Sequence, residues 1–321
     1  MENMAIPDHP DRTVVKVESV AVEARDVLAL TLVPLRGQAL EIPAPGSHVR
    51  VHLPNGLERS YSLCAGSGPA SYKLAVGYVR AGNGGSRWIH EDLRPGQTLE
   101  ISRPIDAFPV DSSAKSHLLI AGGIGVTPFT TMVEYFETTA APFKLIFCAR
   151  SHEEAPFLNL LERLGPDRFS AHFSSGPEGR LDFSAALAHL DAQTHVYCCG
   201  PTGLMHAVRD ATAHLPDTNV HFEAFGTNPV VDVQKRPCFI RLNSTGELLE
   251  VPANRTVLEI LHEHHADISS LCETGSCGTC VVGYEGGEID HQDFCLSKTE
   301  RATLFTPCVS RLNSRIVIVL V

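Results

Sequence analysis

Cys272-Glu273-Thr274-Gly275-Ser276-Cys277-Gly278-Thr279-Cys280 sets three thiols in a C-x4-C-x2-C run, and a fourth follows in Thr306-Pro307-Cys308-Val309. This is the ligand spacing of plant-type 2Fe–2S clusters. Thiolates are soft donors that suit iron–sulfur chemistry. Gly275 and Gly278 add backbone freedom, so a short loop can wrap closely round such a group. A disulfide framework or a zinc knuckle is the alternative. Structural zinc takes two short Cys/His pairs, and the triplet fits that poorly. Cys295 falls between Cys280 and Cys308 and competes for the fourth position.

Outward from this loop, 321 residues suffice for two or three domains. Hydrophobic residues make up 43% and charged ones 20%, which lets each part bury a core. Six further cysteines (64, 148, 198, 199, 238 and 295) read as buried thiols in a reducing compartment. Acidic residues outnumber basic ones 37 to 26, a formal charge of −11. That excludes nucleic acid as a partner and favours a basic protein surface. No apolar run approaches the roughly 18 residues of a transmembrane span. The polar start, residues 1–13, has no apolar signal region, so a cytoplasmic protein is expected.

Three rhythms divide the chain. Short β-branched or alternating runs at 14–22, 27–33, 48–53, 59–65, 72–79 and 98–102, punctuated by Pro and Gly, predict a β-barrel with one helix at 86–93. From 115 the pattern alternates: strands at 117–121, 143–149, 169–174, 195–199 and 220–225, and helices at 128–138, 157–164, 183–190 and 203–214. That predicts a parallel sheet flanked by helices. A linker is expected at 227–236. Beyond it come a hairpin at 239–251, a helix at 256–264, the cysteine loop and a last strand at 316–321. The expected domains are 1–110, 111–226 and 237–321.

The strand at 117–121 runs into Gly122-Gly123-Ile124-Gly125-Val126-Thr127-Pro128. A glycine turn into a helix lets backbone N–H groups approach a pyrophosphate. Thr127 is read as N-cap and Pro128 as the first helical residue. A bare βα-turn without ligand is the bland alternative. A second strand end, Cys199-Gly200-Pro201, adds weight, because ligands of open α/β sheets bind at the carboxyl edge. On the barrel, Arg59-Ser60-Tyr61-Ser62 offers a guanidinium for a phosphate, an aromatic face and a hydroxyl for a polar ring atom. Gly84-Gly85-Ser86 opens the short helix, a second anion-friendly start. An ordinary strand with an exposed Arg and a core Tyr is the competing reading.

With these motifs in this order, the chain resembles the phthalate dioxygenase reductase-type oxidoreductases, a family that includes vanillate O-demethylase and carnitine monooxygenase reductase subunits. The resemblance runs from about residue 14 to 321 and includes Phe222-Glu223-Ala224-Phe225-Gly226. It implies a multidomain fold: a flavin-binding Greek-key β-barrel, a nucleotide-binding parallel α/β domain and a C-terminal β-grasp plant-type ferredoxin domain. It implies FMN, with FAD as the alternative, held by Arg59, Ser60, Tyr61, Ser62, Gly84, Gly85 and Ser86, with Phe225 against the ring. It implies NAD at Gly122, Gly123, Gly125, Thr127, Pro128, Arg150, Ser151, Cys199, Gly200 and Pro201. Its Thr-Pro-Cys context selects Cys308 over Cys295, giving Cys272, Cys277, Cys280 and Cys308 as metal ligands. The partner implied is a separate oxygenase component, usually Rieske-type, in aromatic catabolism, and the chain itself is expected to be a monomer.

The three parts suit one another. A nicotinamide gives two electrons at once, a cluster accepts one at a time, and a flavin mediates between them. Hydride transfer needs no acid–base residue. Positioning at Ser62, Thr127, Cys199 and Phe225 is the expected contribution. Near the ribose end, Arg150 suits a 2′-phosphate, whereas Glu153 and Glu154 suit a free hydroxyl. These cues conflict, and the resemblance favours NADH over NADPH. His262, His264 and His265 read as a solvated helix end, and Trp88 as packing. A reductase serving a separate ferredoxin, and a non-enzymatic iron–sulfur sensor, are the competing functions.

Overall fold

The computed structural model describes residues 12–35, 38–80, 82, 84–177, 179–225, 237–314 and 316–321. The chain start and the expected linker at 227–236 lie outside the described residues. No helix among the described residues is long and apolar enough to cross a membrane.

The β-branched runs form β1 (Arg12–Ala24), β2 (Val27–Pro34), β3 (His48–His52), β4 (Glu58–Ser62), β5 (Tyr72–Gly77) and, after α1 (Gly85–Glu91), β6 (Thr98–Ser102). They pair antiparallel in the order β4-β3-β6-β1-β2-β5. A bridge between Leu63 and Leu74 joins the two edges and closes the barrel. Period-two alternation fills its interior with Val15, Val17, Leu30, Leu32, Val49, Val51, Leu74 and Ile101. Ile89 of α1 joins this core, and Trp88 packs on it.

The alternating stretch gives β7 (Ser116–Gly122), α2 (Thr127–Thr139), β8 (Phe143–Ala149), α3 (Leu158–Leu161), β9 (Phe169–Phe173), α4 (Phe183–Leu187), β10 (Thr194–Cys199), α5 (Thr202–Ala211) and β11 (Val220–Glu223). The sheet is parallel, in the order β11-β10-β7-β8-β9. Along β10, Tyr197 and Cys199 point to the α2/α3 core, and Val196 and Cys198 to the α4/α5 core. Helices on both faces explain why these strands read as continuous apolar runs. The single helix expected at 157–164 is instead α3 followed by a 3₁₀ turn, Glu162–Leu164, ending at Gly165 with φ +76.

The last part holds β12 (Cys238–Leu242), β13 (Leu248–Val251), α6 (Val257–Glu263), β14 (Val282–Glu285), β15 (Ile289–Asp290), β16 (Leu304–Phe305), β17 (Arg311–Leu312) and β18 (Ile316–Leu320). β18, last in sequence, inserts between β12 and β14 in the order β13-β12-β18-β14-β16. It runs parallel to β12 and antiparallel to β14. Thr256 and Glu259 form a capping box that starts α6. Val257, Ile260 and Leu261 then bury that helix against the sheet.

Candidate redox site

Two glycine turns meet at the carboxyl edge of the parallel sheet. A Cβ on Gly125 would stand 2.3 Å from the Cys199 carbonyl oxygen, and one on Gly122 would stand 2.6 Å from Pro201 Cδ. A Cβ on Gly200 would stand 2.8 Å from Gly122 Cα. Loops 122–125 and 199–201 therefore touch backbone to backbone, which only glycine allows. Thr127 does not cap α2, contrary to expectation. A 3₁₀ turn, Gly123–Val126, precedes the helix, so Thr127 is already helical and its hydroxyl donates to the Ile124 carbonyl at 3.0 Å. Pro128 lies in the first turn.

The barrel loops are fixed to α2. Thr130 Oγ1 accepts from Ala65 N–H, Thr131 Oγ1 from Gly46 N–H and Glu134 from Gly66 N–H, each at 2.9 Å. Sequence reading missed these three. Two threonines on a buried helical face were the available signal. Arg59 lies over the start of α1, its Nε 2.8 Å from where a Cβ on Gly85 would be. Gly84, with φ +96, is the N-cap, and Ser86 Oγ accepts from Val79 N–H at 3.0 Å. Ser60 and Ser62 follow on β4, and burial pushes the Tyr61 hydroxyl up to about 12. Ser62 is 3% exposed, and its Oγ has no hydrogen-bond partner.

Glu223 ends β11 and was quoted in the sequence without a role. It is buried, 7% exposed, and its Oε2 is unpaired. Burial, then the neighbouring Cys272 charge, raises its carboxyl to about 8. Cys199 is fully buried, and desolvation, far more than the neighbouring Glu223, holds its thiol protonated. Phe225, two residues on, is 39% exposed. His48 lies opposite Ser62 on the β3–β4 ladder. Burial drives it down to about 4, with Arg50 assisting and Cys272 opposing. His48 and Glu223 thus both lie within electrostatic reach of Cys272.

The four expected cysteines form two pairs. Cys280 and Cys308 lie 3.3 Å apart, sulfur to sulfur. Cys272 pairs with Cys277, and that hydrogen bond draws the Cys272 thiol well below its ordinary range. Cys272 also accepts from Thr274 N–H at 3.4 Å and Ser276 Oγ at 3.6 Å. Among the described residues no three ligand-type side chains converge on one point. A 2Fe–2S cluster asks for no such point, because its thiolates divide two and two between separate irons. Cys295 lies beside Gly278, outside both pairs, and burial raises its thiol to about 12. Gly275, with φ +74, leaves no room for a Cβ, which would stand 2.6 Å from Val309.

Arg150 and Ser151 follow β8 at the same sheet edge. Arg150 pairs with Glu154 at 3.4 Å, and Ser151 donates to Glu153 at 2.6 Å. A cleft of about 530 Å³ lies at the opposite edge, lined by His117, Phe143, Arg168 and Thr194. Open α/β sheets bind ligands at the carboxyl ends of their strands, so this cleft is not the nucleotide site.

Residues 240–313 match the model of the 2Fe–2S iron-sulfur cluster binding domain, and residues 119–210 that of the oxidoreductase NAD-binding domain. The chain is 37% identical to a vanillate O-demethylase oxidoreductase of a Pseudomonas species, over 93% of this chain and 96% of that one. It is 36% identical to phthalate dioxygenase reductase of Burkholderia cepacia, over 97% and 98%. A solved structure of phthalate dioxygenase reductase, described as modular for electron transfer from pyridine nucleotides to 2Fe–2S, superposes with a TM-score of 0.71 at 34% identity, over 99% of this chain and all of that one. The three-part fold, the paired cysteines and these near full-length matches lead to one conclusion: the chain belongs to the phthalate dioxygenase reductase family, the reductase components of oxygenase systems.

Proposed function

We propose that this reductase takes electrons from NADH and delivers them through FMN and a 2Fe–2S cluster to a Rieske-type oxygenase. The observation that carries the reading is a pair of buried polar atoms that no protein group satisfies, one on the barrel and one at the end of β11. Ser62 Oγ and Glu223 Oε2 are both buried and unpaired, a costly state unless a ligand satisfies them. A flavin edge offers the missing partners. A bound flavin accepts hydride and releases electrons singly, and the cluster takes them one at a time.

The chain's own residues bind and orient. Arg59, over Gly85, would pair with the FMN phosphate beside Gly84 and Ser86. Ser60, Tyr61 and Ser62 would line the ring, and Phe225 would lie against it. Gly122, Gly123 and Gly125 with Gly200 and Pro201 admit the dinucleotide backbone, and Thr127, Pro128 and Cys199 shape the nicotinamide end. Arg150 and Ser151 lie at the ribose end. Both are engaged by acidic neighbours, which favours a free 2′-hydroxyl and hence NADH. Cys272 and Cys277 would hold one iron, and Cys280 and Cys308 the other. Domain limits at 110 and 226, a monomeric state and a cytoplasmic setting complete the proposal.

Anaerobic NADH should bleach both flavin and cluster absorbance, and NADPH should do so far more slowly. Flavin released by heat should run as FMN on chromatography, and the protein should carry two irons with labile sulfide. A preference for NADPH, or bound FAD, would overturn the corresponding assignment. Reconstitution with Rieske oxygenases, compared with haem oxygenases, tests the partner class.

A further inference from the structure

Between the third and fourth cysteines lies His291-Gln292-Asp293-Phe294-Cys295, a segment the relay above does not use. Phe294 is 8% exposed, yet its ring sits in the α4/α5 core of the NAD-binding domain rather than in its own. The ring centroids of Phe222 and His206 are each 5.2 Å away, and the Arg209 guanidinium stands 5.3 Å from the ring. Phe222 lies on β11, immediately before Glu223; His206 and Arg209 lie on α5. At its other end the segment grips the cysteine loop. The Phe294 N–H donates to the Gly275 carbonyl at 2.8 Å. Asp293, fully buried, locks the backbone there: its carboxylate accepts from Leu296 N–H at 2.9 Å and from Arg301 at 3.1 Å, and its carbonyl accepts from Arg301 at 2.8 Å.

Polar bonds across this junction are long. Arg209 reaches the Asp293 carbonyl at 3.4 Å, and Lys298 N–H reaches Asp217 at 3.4 Å. Packing of the Phe294 ring, with its guanidinium contact, therefore carries the seat. We propose that Phe294 is a positioning residue for the flavin-to-cluster step: seated among Phe222, His206 and Arg209, it fixes the cysteine loop against the strand that ends at Glu223. This rests on the relay proposed above. The step moves one electron, lost by the reduced flavin and gained as one ferric iron becomes ferrous. Its rate falls off exponentially with separation, so a loose seat is read as slow transfer.

The test uses holoprotein carrying Phe294→Ala, Phe294→Leu or Arg209→Ala, each assayed for flavin, iron and sulfide. Anaerobic stopped-flow mixing with NADH resolves flavin bleaching from cluster bleaching. The hydride step should keep the parental rate. Cluster reduction should slow severalfold in Phe294→Ala, because electron transfer weakens exponentially as the two centres separate. Phe294→Leu should recover part of it. Arg209→Ala should slow the same step although the cysteine-bearing domain is untouched. Amide exchange of the same preparations should rise at Val220–Glu223 and at residues 293–296 and stay unchanged in β12. Parental cluster-reduction rates in both Phe294→Ala and Arg209→Ala, with full cluster content, would overturn the proposal. If Phe294→Ala fails to load a cluster, Arg209→Ala decides. If the parent itself bleaches neither centre, the relay has failed, and exchange alone then judges the seat.

Discussion

The NAD-binding domain carries two junctions built on opposite principles. Toward the barrel, backbone is bonded at many points: Ala65, Gly46 and Gly66 donate to α2, Phe157 N–H donates to Glu23 at 2.8 Å, and Arg25 N–H donates to the Glu153 carbonyl at 2.8 Å. Toward the cysteine loop, one aromatic ring in a three-residue pocket does most of the holding. The difference matches the two steps. Hydride transfer needs near-contact geometry, and that demands a stiff frame. Electron transfer tolerates a gap, so a single seat suffices on that side.

The largest expected effect comes from breaking the stiff side at its tightest point. Gly125→Ala puts a Cβ 2.3 Å from the Cys199 carbonyl, where only backbone can yield. Overpacking of this kind costs about 1–3 kcal/mol. A loop displaced by about 1 Å costs on the order of a hundredfold in a hydride step. Stopped-flow flavin reduction should fall by that order while cluster content stays at parental level. An unchanged hydride rate would show that the two loops need not touch.

The next effect falls on the cysteine side. Asp293 is fully buried and pairs with Arg301 at 3.1 Å. Asp293→Ala leaves the half-buried guanidinium unpaired, which costs about 3–5 kcal/mol. Denaturant unfolding followed by cluster absorbance should show that loss, while flavin release moves less. Coincident shifts of both signals would mean that the two junctions unfold as one unit.

Glu223 ends β11, next to Phe222 of the cysteine-side junction, and pH separates its contribution. Its folded value is raised to about 8, chiefly by burial, from an ordinary 4.5. A raised value means the native state holds the proton longer than the unfolded chain. Stability is therefore fullest below pH 4.5, declines as pH rises and levels off above 8. The slope is at most about 1.4 kcal/mol per pH unit. Glu223→Gln should flatten this part of the profile, so the melting-temperature gap between variant and parent should widen from pH 5 to pH 8. A constant gap would mean that the carboxyl is already ionised in the native chain.

What was legible in the sequence follows from how each feature is encoded. The cluster loop is covalent spacing, and C-x4-C-x2-C survives any packing. The parallel sheet is written in apolar runs buried on both faces, so β7, β8 and β10 fall within a residue or two of expectation. Arg59 and Gly85 were named for separate reasons, and only the fold brings them together. Thr127 misled because a capping residue and a first-turn threonine look alike in sequence. The 3₁₀ turn at Gly123–Val126 decides between them. The two junctions were illegible for a common reason. Thr130, Thr131, Asp293 and Phe294 gain meaning only from partners 65 to 88 positions away, as in the Ala65–Thr130, Gly46–Thr131, Arg209–Asp293 and His206–Phe294 contacts.

The smallest expected effect tests redundancy on the stiff side. Thr130→Val keeps shape but removes the hydroxyl that accepts from Ala65 N–H at 2.9 Å and donates to the Thr127 carbonyl at 2.7 Å. An orphaned amide costs about 1–3 kcal/mol, so the thermal midpoint should drop by a few degrees. Neighbouring bonds at Thr131 and Glu134 still hold the loop, and NADH should reduce the flavin at the parental rate. The outcome that matters is the contrast with Phe294→Ala. Losing one bond of many leaves the hydride step alone, whereas losing the one ring slows the electron step. If Thr130→Val slowed hydride transfer as strongly as Phe294→Ala slowed cluster reduction, the barrel junction would be as singly held as the other, and the division between stiff frame and single seat would fail.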